Sequence, residues 1–244
     1  MTVKEVLEQA IITGNLLELP DIKLSREDYL AVNKALGLVG GKWNRSKQGF
    51  IFPEDPNKYL DKIIDGNKPN IKKEFQFFGT PEGLAADMVN ELPVILPTMT
   101  ILEPSAGQGS IIKEILRECP TANISAYELM DLNRDILKDK FPTVKLLGKD
   151  FLECENKFDL IVANPPFNKH QDIIHIRKMF DCLKPNGTIV TLSSRHWCMA
   201  SHKIDKEFKQ WLDELGADQI EIEHGAFKES GTMTSSVMLI IRKY

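Results

Sequence analysis

Asn164-Pro165-Pro166-Phe167 stands directly after the apolar run Phe158–Ala163. Two prolines fix φ at their own positions and restrict the residue before each. The Pro165 carbonyl is therefore held in place without a competing regular structure. The Asn164 side-chain oxygen adds a second acceptor, and Phe167 a stacking face. Two acceptors beside an aromatic plane suit a planar amino group, such as that of a nucleobase. Three other groups have the same setting, each just after a short apolar run. Ile101-Leu-Glu103-Pro104-Ser105-Ala106-Gly107-Gln-Gly109 enters a glycine turn, where glycine permits a tight bend and close approach of backbone to a ligand. A dinucleotide fingerprint is incomplete, because Ile112 occupies its third glycine position. Glu128 follows 19 residues after Gly109, a placement suited to accepting both hydroxyls of a ribose. Asp150 can accept from an adenine amino group with Phe151 covering the ring, or it can simply cap a turn.

These four groups need a scaffold that brings them together. Apolar runs near 100–102, 124–127, 144–147, 158–163 and 188–192 are separated by helical patterns over 110–118, 131–140 and 171–183. Strands alternating with helices of this length predict βαβ units and a parallel sheet, with ligands beyond the carboxyl ends of its strands. Thr80-Pro81 opens a further helix. After a helix over about 205–215, the runs 219–223 and 236–242 follow without an intervening helix, which predicts an antiparallel pairing at one edge.

The first 74 residues read differently. Val3, Val6, Leu7, Ala10 and Ile11 recur at helical spacing, and Ser25 opens a capping-box pattern for a helix ending at Gly37. Lys42-Trp43 and Gly49–Phe52 flank a polar turn and predict a hairpin, followed by a short helix over 57–64. Residues 65–74 are polar and turn-rich and read as a linker. The expected division is a small α+β domain over 1–74 and an α/β domain over 75–244.

The ordered set Phe78-Gly-Thr80-Pro81, Glu103–Gly109, Glu128, Asp150-Phe151 and Asn164–Phe167 resembles the class I S-adenosylmethionine-dependent methyltransferases. It is most similar to the adenine-N6 DNA methyltransferases of the gamma arrangement, in which the cofactor loop precedes the catalytic tetrapeptide. The resemblance covers roughly 75–244. It implies a Rossmann-like fold with a mostly parallel seven-stranded sheet and an antiparallel edge strand, and S-adenosyl-L-methionine as cofactor. Phe78, Thr80 and Pro81 would border the methionine end; Glu103, Pro104, Ser105, Ala106, Gly107 and Gly109 would hold its amino and carboxylate groups. Glu128 and Leu129 would serve the ribose, Asp150 and Phe151 the adenine, and Asn164, Pro165, Pro166 and Phe167 the target amine, with Asn164 also touching the cofactor. Phe227 would stack on the opposite face of a flipped base, unless it is a core residue. The same tetrapeptide occurs in some RNA guanine-N2 and protein-glutamine methyltransferases. A nicotinamide oxidoreductase and a non-catalytic DNA-binding subunit are the readings from other classes.

Composition bounds the partner. The chain has 244 residues and a net charge of −4, which disfavours non-specific coating of DNA. Residues 1–74 nevertheless carry 12 Lys/Arg against 11 Asp/Glu. Lys42, Trp43 and Arg45 at the hairpin, with Arg195 after the 188–192 run, are the candidates for contacting DNA, although a cationic turn is often only solvated. The chain ends soon after its sheet should close, so the resemblance implies recognition that is short, relaxed or borrowed from a specificity partner or second copy. An orphan enzyme of a phage or mobile element is the expected setting. No membrane span is expected. Cys119, Cys154, Cys182 and Cys198 form no CxxC pair, which suggests a reducing cytoplasm, and the five histidines lack metal-ligand spacing, so no metal is expected.

Overall fold

A computed structural model describes residues 2–52, 55–57, 60, 79–199, 202–222 and 236–244. The chain divides into two compact units, Met1–Phe77 with Met130–Leu132, and Phe78–Leu129 with Asn133–Tyr244. The expected linker at 65–74, most of the helix expected over 57–64, Phe78 and Phe227 lie outside the described residues.

In the first unit, Thr2 and Glu5 form a reciprocal capping box at the start of α1 (Val3–Leu7). The helix expected to run on through Ala10 and Ile11 stops there. Ile11 instead begins β1 (Ile11–Thr13), which pairs antiparallel with β2 (Leu16–Glu18). Three consecutive β-branched residues followed by the Gly14-Asn15 turn outweigh the helical spacing, with Gly14 at φ +61°. Ser25 caps α2 (Arg26–Leu38) by accepting from the Asp28 N–H. The hairpin β3 (Lys42–Asn44) and β4 (Gly49–Ile51) completes a sheet of order β1-β2-β4-β3. Asn44 closes its turn by accepting from the N–H groups of Ser46 and Lys47. Val6, Leu17, Val32, Leu36, Phe50 and Phe52 fill the core of this unit.

The second unit holds α3 (Glu82–Asn90), β5 (Thr100–Glu103), α4 (Ser110–Glu118), β6 (Asn123–Tyr127), α5 (Asp131–Lys140), β7 (Lys145–Gly148) and β8 (Phe158–Ala163). These are followed by α6 (Gln171–Asp181), β9 (Leu183–Ser194), α7 (Lys203–Glu214), β10 (Asp218–Ile222) and β11 (Ser236–Arg242). The seven-stranded sheet has the order β10-β11-β9-β8-β5-β6-β7. β9, β8, β5, β6 and β7 are mutually parallel, while β11 is antiparallel to both β9 and β10. The antiparallel pairing expected at one edge is therefore present. β9 starts five residues before the expected run, and α6 ends two residues earlier than expected.

Side chains alternate between two cores, as a strand period of two requires. Ile101, Leu160, Val162, Val190, Leu192, Met238 and Ile240 face one side with Leu84 and Met88 of α3, Ile111 and Ile115 of α4, and Leu137 of α5. Leu102, Ile161, Ala163, Ile189, Leu239 and Ile241 face the other with Ile173 and Ile176 of α6, and Phe208 and Leu212 of α7. Strands apolar on both faces are what a parallel sheet covered by helices demands.

At the amino end of the sheet, Asp159 Oδ2 accepts from the Thr100 N–H and Oγ1, both at 2.7 Å, and from Lys184 Nζ at 2.8 Å. Burial would raise the Asp159 carboxyl, but the Lys184 and Thr100 hydrogen bonds outweigh it and hold it below its ordinary value. One carboxylate thus ties β5, β8 and the start of β9 together. Asp159→Ala removes these bonds and is expected to cost about 1–3 kcal/mol, a loss read as a lower thermal midpoint in calorimetry.

Candidate active site

With β8, β5, β6 and β7 adjacent and parallel, their carboxyl ends lie side by side. Ala163 delivers Asn164, Glu103 itself ends β5, Tyr127 delivers Glu128, and Gly148 delivers Asp150. Four sequence groups spread over some sixty residues are thereby brought to one edge.

Glu103 is 2% exposed, and its Oε2 has no hydrogen-bond partner among the described residues. Burial, with added repulsion from the Glu128 carboxylate, pushes Glu103 well above the usual carboxylate range, against a smaller opposing effect of a backbone hydrogen bond from Ile112. A buried acceptor with no donor is costly unless a ligand supplies one. The following loop is shaped by two left-handed glycines, Gly107 at φ +56° and Gly109 at φ +85°. A Cβ on Gly109 would stand 2.3 Å from Phe141 Cε2. Gly109 caps α4 without a side-chain bond, so the first turn of that helix points its N–H groups at the loop. Pro104 and Ala106 are buried, and Ser105 is half-buried. The Ala106 N–H donates to the Tyr127 carbonyl at 3.0 Å.

Glu128 is oriented from two sides. Its Oε2 accepts from the Gly107 N–H at 2.7 Å and its Oε1 from Asn133 Nδ2 at 3.3 Å. Arg134 donates to the Glu128 carbonyl at 3.4 Å and also to the Gly148 carbonyl, so it spans the ends of β6 and β7. Asn133 and Arg134 were not singled out from the sequence. Their signal, a polar pair in the first turn of a helix right after the strand-end Glu, is common on solvated helix starts. Leu129 is 53% exposed beside this edge.

Asp150 is exposed, and its carboxylate caps the turn Phe151–Glu153 by accepting from the Leu152 N–H at 2.9 Å. Phe151 is turned inward, packed edge-on against Tyr127 with ring centroids 5.9 Å apart. Its ring floors the edge from within the core instead of standing out over it. Asn164 Nδ2 donates to Thr80 Oγ1 at 3.1 Å, which orients the amide with Oδ1 as its other end. Thr80 is buried, and Pro81, expected at the first helical position, is instead the N-cap of α3. Pro165 is buried, while Pro166 and Phe167 are half-buried, Phe167 resting against the first of the two cores.

The residues proposed for nucleic acid are separate from this edge in sequence. Arg195 pairs with Glu221 at 2.7 Å. In the first unit Lys42 and Arg45 are exposed, and Trp43 is 43% exposed with its ring edge-on to Phe50 at 5.2 Å.

Comparison with known proteins yields a family model, "Methyltransferase small domain", that matches residues 85–218. The type II methyltransferase M.AccI of Acinetobacter calcoaceticus is 32% identical over 106 residues, which are 41% of this chain and 20% of that protein. The type II methyltransferase M.CvrRI of Paramecium bursaria Chlorella virus XZ-6E is 28% identical over 153 residues, 60% of this chain and 39% of its own. The chain thus spans well under half the length of these relatives. A modification subunit of a putative type I restriction enzyme from Vibrio vulnificus YJ016 shares the fold, with a TM-score of 0.58 at 14% identity over 83% of this chain and 51% of that one.

Gly109→Ala forces a methyl group into Phe141 at a left-handed φ. It is expected to cost about 2–3 kcal/mol, lowering the thermal midpoint by about 4–12 °C and weakening ligand binding at the loop by at least tenfold.

Proposed function

The chain belongs to the methyltransferase small domain family, and from that premise we propose that it methylates the exocyclic N6 of adenine in DNA. Its methyl donor is S-adenosyl-L-methionine. The observation that carries the reading is the arrival of Asn164-Pro165-Pro166-Phe167 on the strand beside Glu103 and its glycine loop. The description of the relatives as type II methyltransferases supports DNA as the substrate.

The residues present fit such a cofactor. The buried Oε2 of Glu103 lacks a donor among the described residues, one that the ammonium group of a methionine moiety would supply. The Ala106–Gly109 backbone and the start of α4 suit its carboxylate. Glu128, held by Gly107 and Asn133, accepts the ribose hydroxyls, and Asp150 accepts from the adenine amine. When bound, the cofactor supplies a sulfonium methyl group that an amine nitrogen can attack.

The N6 lone pair of adenine is delocalised into its ring and is a poor nucleophile. Asn164 Oδ1 and the Pro165 carbonyl accept its two hydrogens, draw electron density back onto nitrogen and aim it in line with the methyl. This is positioning and electrostatic stabilisation, without a covalent enzyme intermediate. The proton released from nitrogen passes to solvent. Phe167 stacks on a base taken out of the duplex, Lys42, Arg45 and Arg195 contact phosphates, and Trp43 stacks or wedges. An orphan enzyme of a mobile element is the setting this reading favours.

Transfer of a labelled methyl group is tested by presenting adenine-containing duplex DNA, RNA and protein in parallel. Label in DNA, recovered as N6-methyladenine, is expected; label confined to RNA guanine or protein glutamine refutes the substrate assignment. Asn164→Ala should lower the turnover rate by at least about 100-fold while changing cofactor affinity by less than about threefold.

Glu103→Gln should act with opposite signs on two quantities. Because Glu103 is raised in the folded state, the fold binds more protons than the unfolded chain across the window between the ordinary carboxylate pKa and its own. Stability of the ligand-free protein therefore falls as pH rises through that window. Removing the ionisable group should stabilise it by about 1 kcal/mol or more, read by calorimetry. The same change should weaken cofactor binding by about tenfold, read by titration calorimetry, because the ammonium loses its carboxylate.

A further inference from the structure

Beyond the carboxyl ends of β8 and β9, three side chains from separate segments converge. His170 ends the turn that follows Phe167, His196 lies in the turn Arg195–Met199 after β9, and Asp205 is in the first turn of α7. His170 Nδ1 is 2.8 Å from His196 Nε2, and Asp205 Oδ1 is 3.2 Å from the first and 3.3 Å from the second. Asp205 is 2% exposed. Although it lies this close to two ring nitrogens, Oδ1 forms no hydrogen bond with either. Its other oxygen is spent on the His202 N–H at 3.3 Å.

We propose that His170 Nδ1, His196 Nε2 and Asp205 Oδ1 together bind one divalent first-row transition ion, zinc foremost. Metal–ligand bonds of about 2.0–2.2 Å put neighbouring ligand atoms about 2.9 Å apart on an octahedral face and about 3.3 Å apart in a tetrahedron. The observed separations span those two values. Two neutral imidazoles and one carboxylate match the nitrogen and oxygen donors such ions take, with water completing the shell. A buried carboxylate oxygen facing two ring nitrogens is costly in the absence of a cation.

The surrounding hydrogen bonds select the ligating form of His196. Ser194 Oγ donates to Asp172 Oδ2 at 2.8 Å, so toward His196 Nδ1 the same oxygen acts as acceptor. The proton then sits on Nδ1, and Nε2 presents its lone pair to the cluster. Asp172 is fully buried and also accepts from Ser193 Oγ and the Ser194 N–H. A ligating histidine usually donates its second ring N–H to an oxygen that fixes its tautomer, and here Ser194 Oγ, itself held by Asp172, takes that place. Lys169 and His170 sit at φ +55° and +59°, a left-handed pair that a bond to His170 would hold in place. The ion would tie the segment leaving Phe167 to β9 and α7.

The test uses the full chain stripped with chelator and dialysed, then titrated with Zn2+ by calorimetry and with Co2+ by visible absorption. One equivalent of either ion at micromolar affinity or tighter is expected. The Co2+ spectrum should be that of nitrogen and oxygen ligands and free of a thiolate charge-transfer band. Asp205→Asn keeps an oxygen for the His202 N–H, so the helix cap survives; it should weaken Zn2+ at least tenfold and abolish the Zn2+-induced rise in melting temperature. His196→Gln should do the same, with circular dichroism confirming that each variant is folded. No uptake, uptake unchanged in both variants, or a thiolate band would overturn the proposal and leave a hydrogen-bonded cluster. None of these readouts depends on methyl transfer.

Discussion

Strands β8, β5 and β11 are apolar on both faces over their central residues because helices cover both sides of the sheet. Hydroxyls in the strand bodies, such as Thr191, are buried against a hydrogen-bond partner, but an ionisable group there would lose its water, so the charged chemistry sits at the strand ends. Parallel pairing puts those ends on one edge. Glu103, Glu128, Asp150 and Asn164 follow from that constraint. So does the structural use of the opposite end, where Asp159, Thr100 and Lys184 hold three strands in register.

Glu103 is where the constraint is felt most. It is the last residue of its strand, still deep enough to be stripped of water, and it faces a second carboxylate. The Gly107 N–H and Asn133 compensate Glu128, whereas one oxygen of Glu103 has no donor among the described residues. The ligand-free protein therefore carries an electrostatic cost that a cationic ligand relieves. Pre-formed loops explain the rest: the left-handed glycines and the Phe141 ring fix the turn before any ligand arrives.

Much of this was legible in the residue order. Apolar runs alternating with helical patterns specify the βαβ order, and glycine, Glu and Asn-Pro-Pro-Phe mark the strand ends. Three things were not legible. Ile11 fits a helical repeat as well as a strand, and the β-branched run before the Gly14-Asn15 turn decides for the strand only once Ile11 pairs with Glu18. Phe151 reads equally well as a ring cover or a core residue, because an aromatic side chain after a strand can turn either way; here it turns inward. His170, His196 and Asp205 lie too far apart in the chain to form a local motif, and only the closing of three turns on one another brings them together.

Hydrogen exchange of the full chain, with and without saturating S-adenosyl-L-methionine, tests the shared edge most directly. Slowed exchange is predicted together in residues 103–110, 127–130, 148–152 and 163–167, with 42–48 unchanged. Protection limited to one of those four segments, or placed elsewhere, would contradict a single ligand site built on four adjacent strand ends.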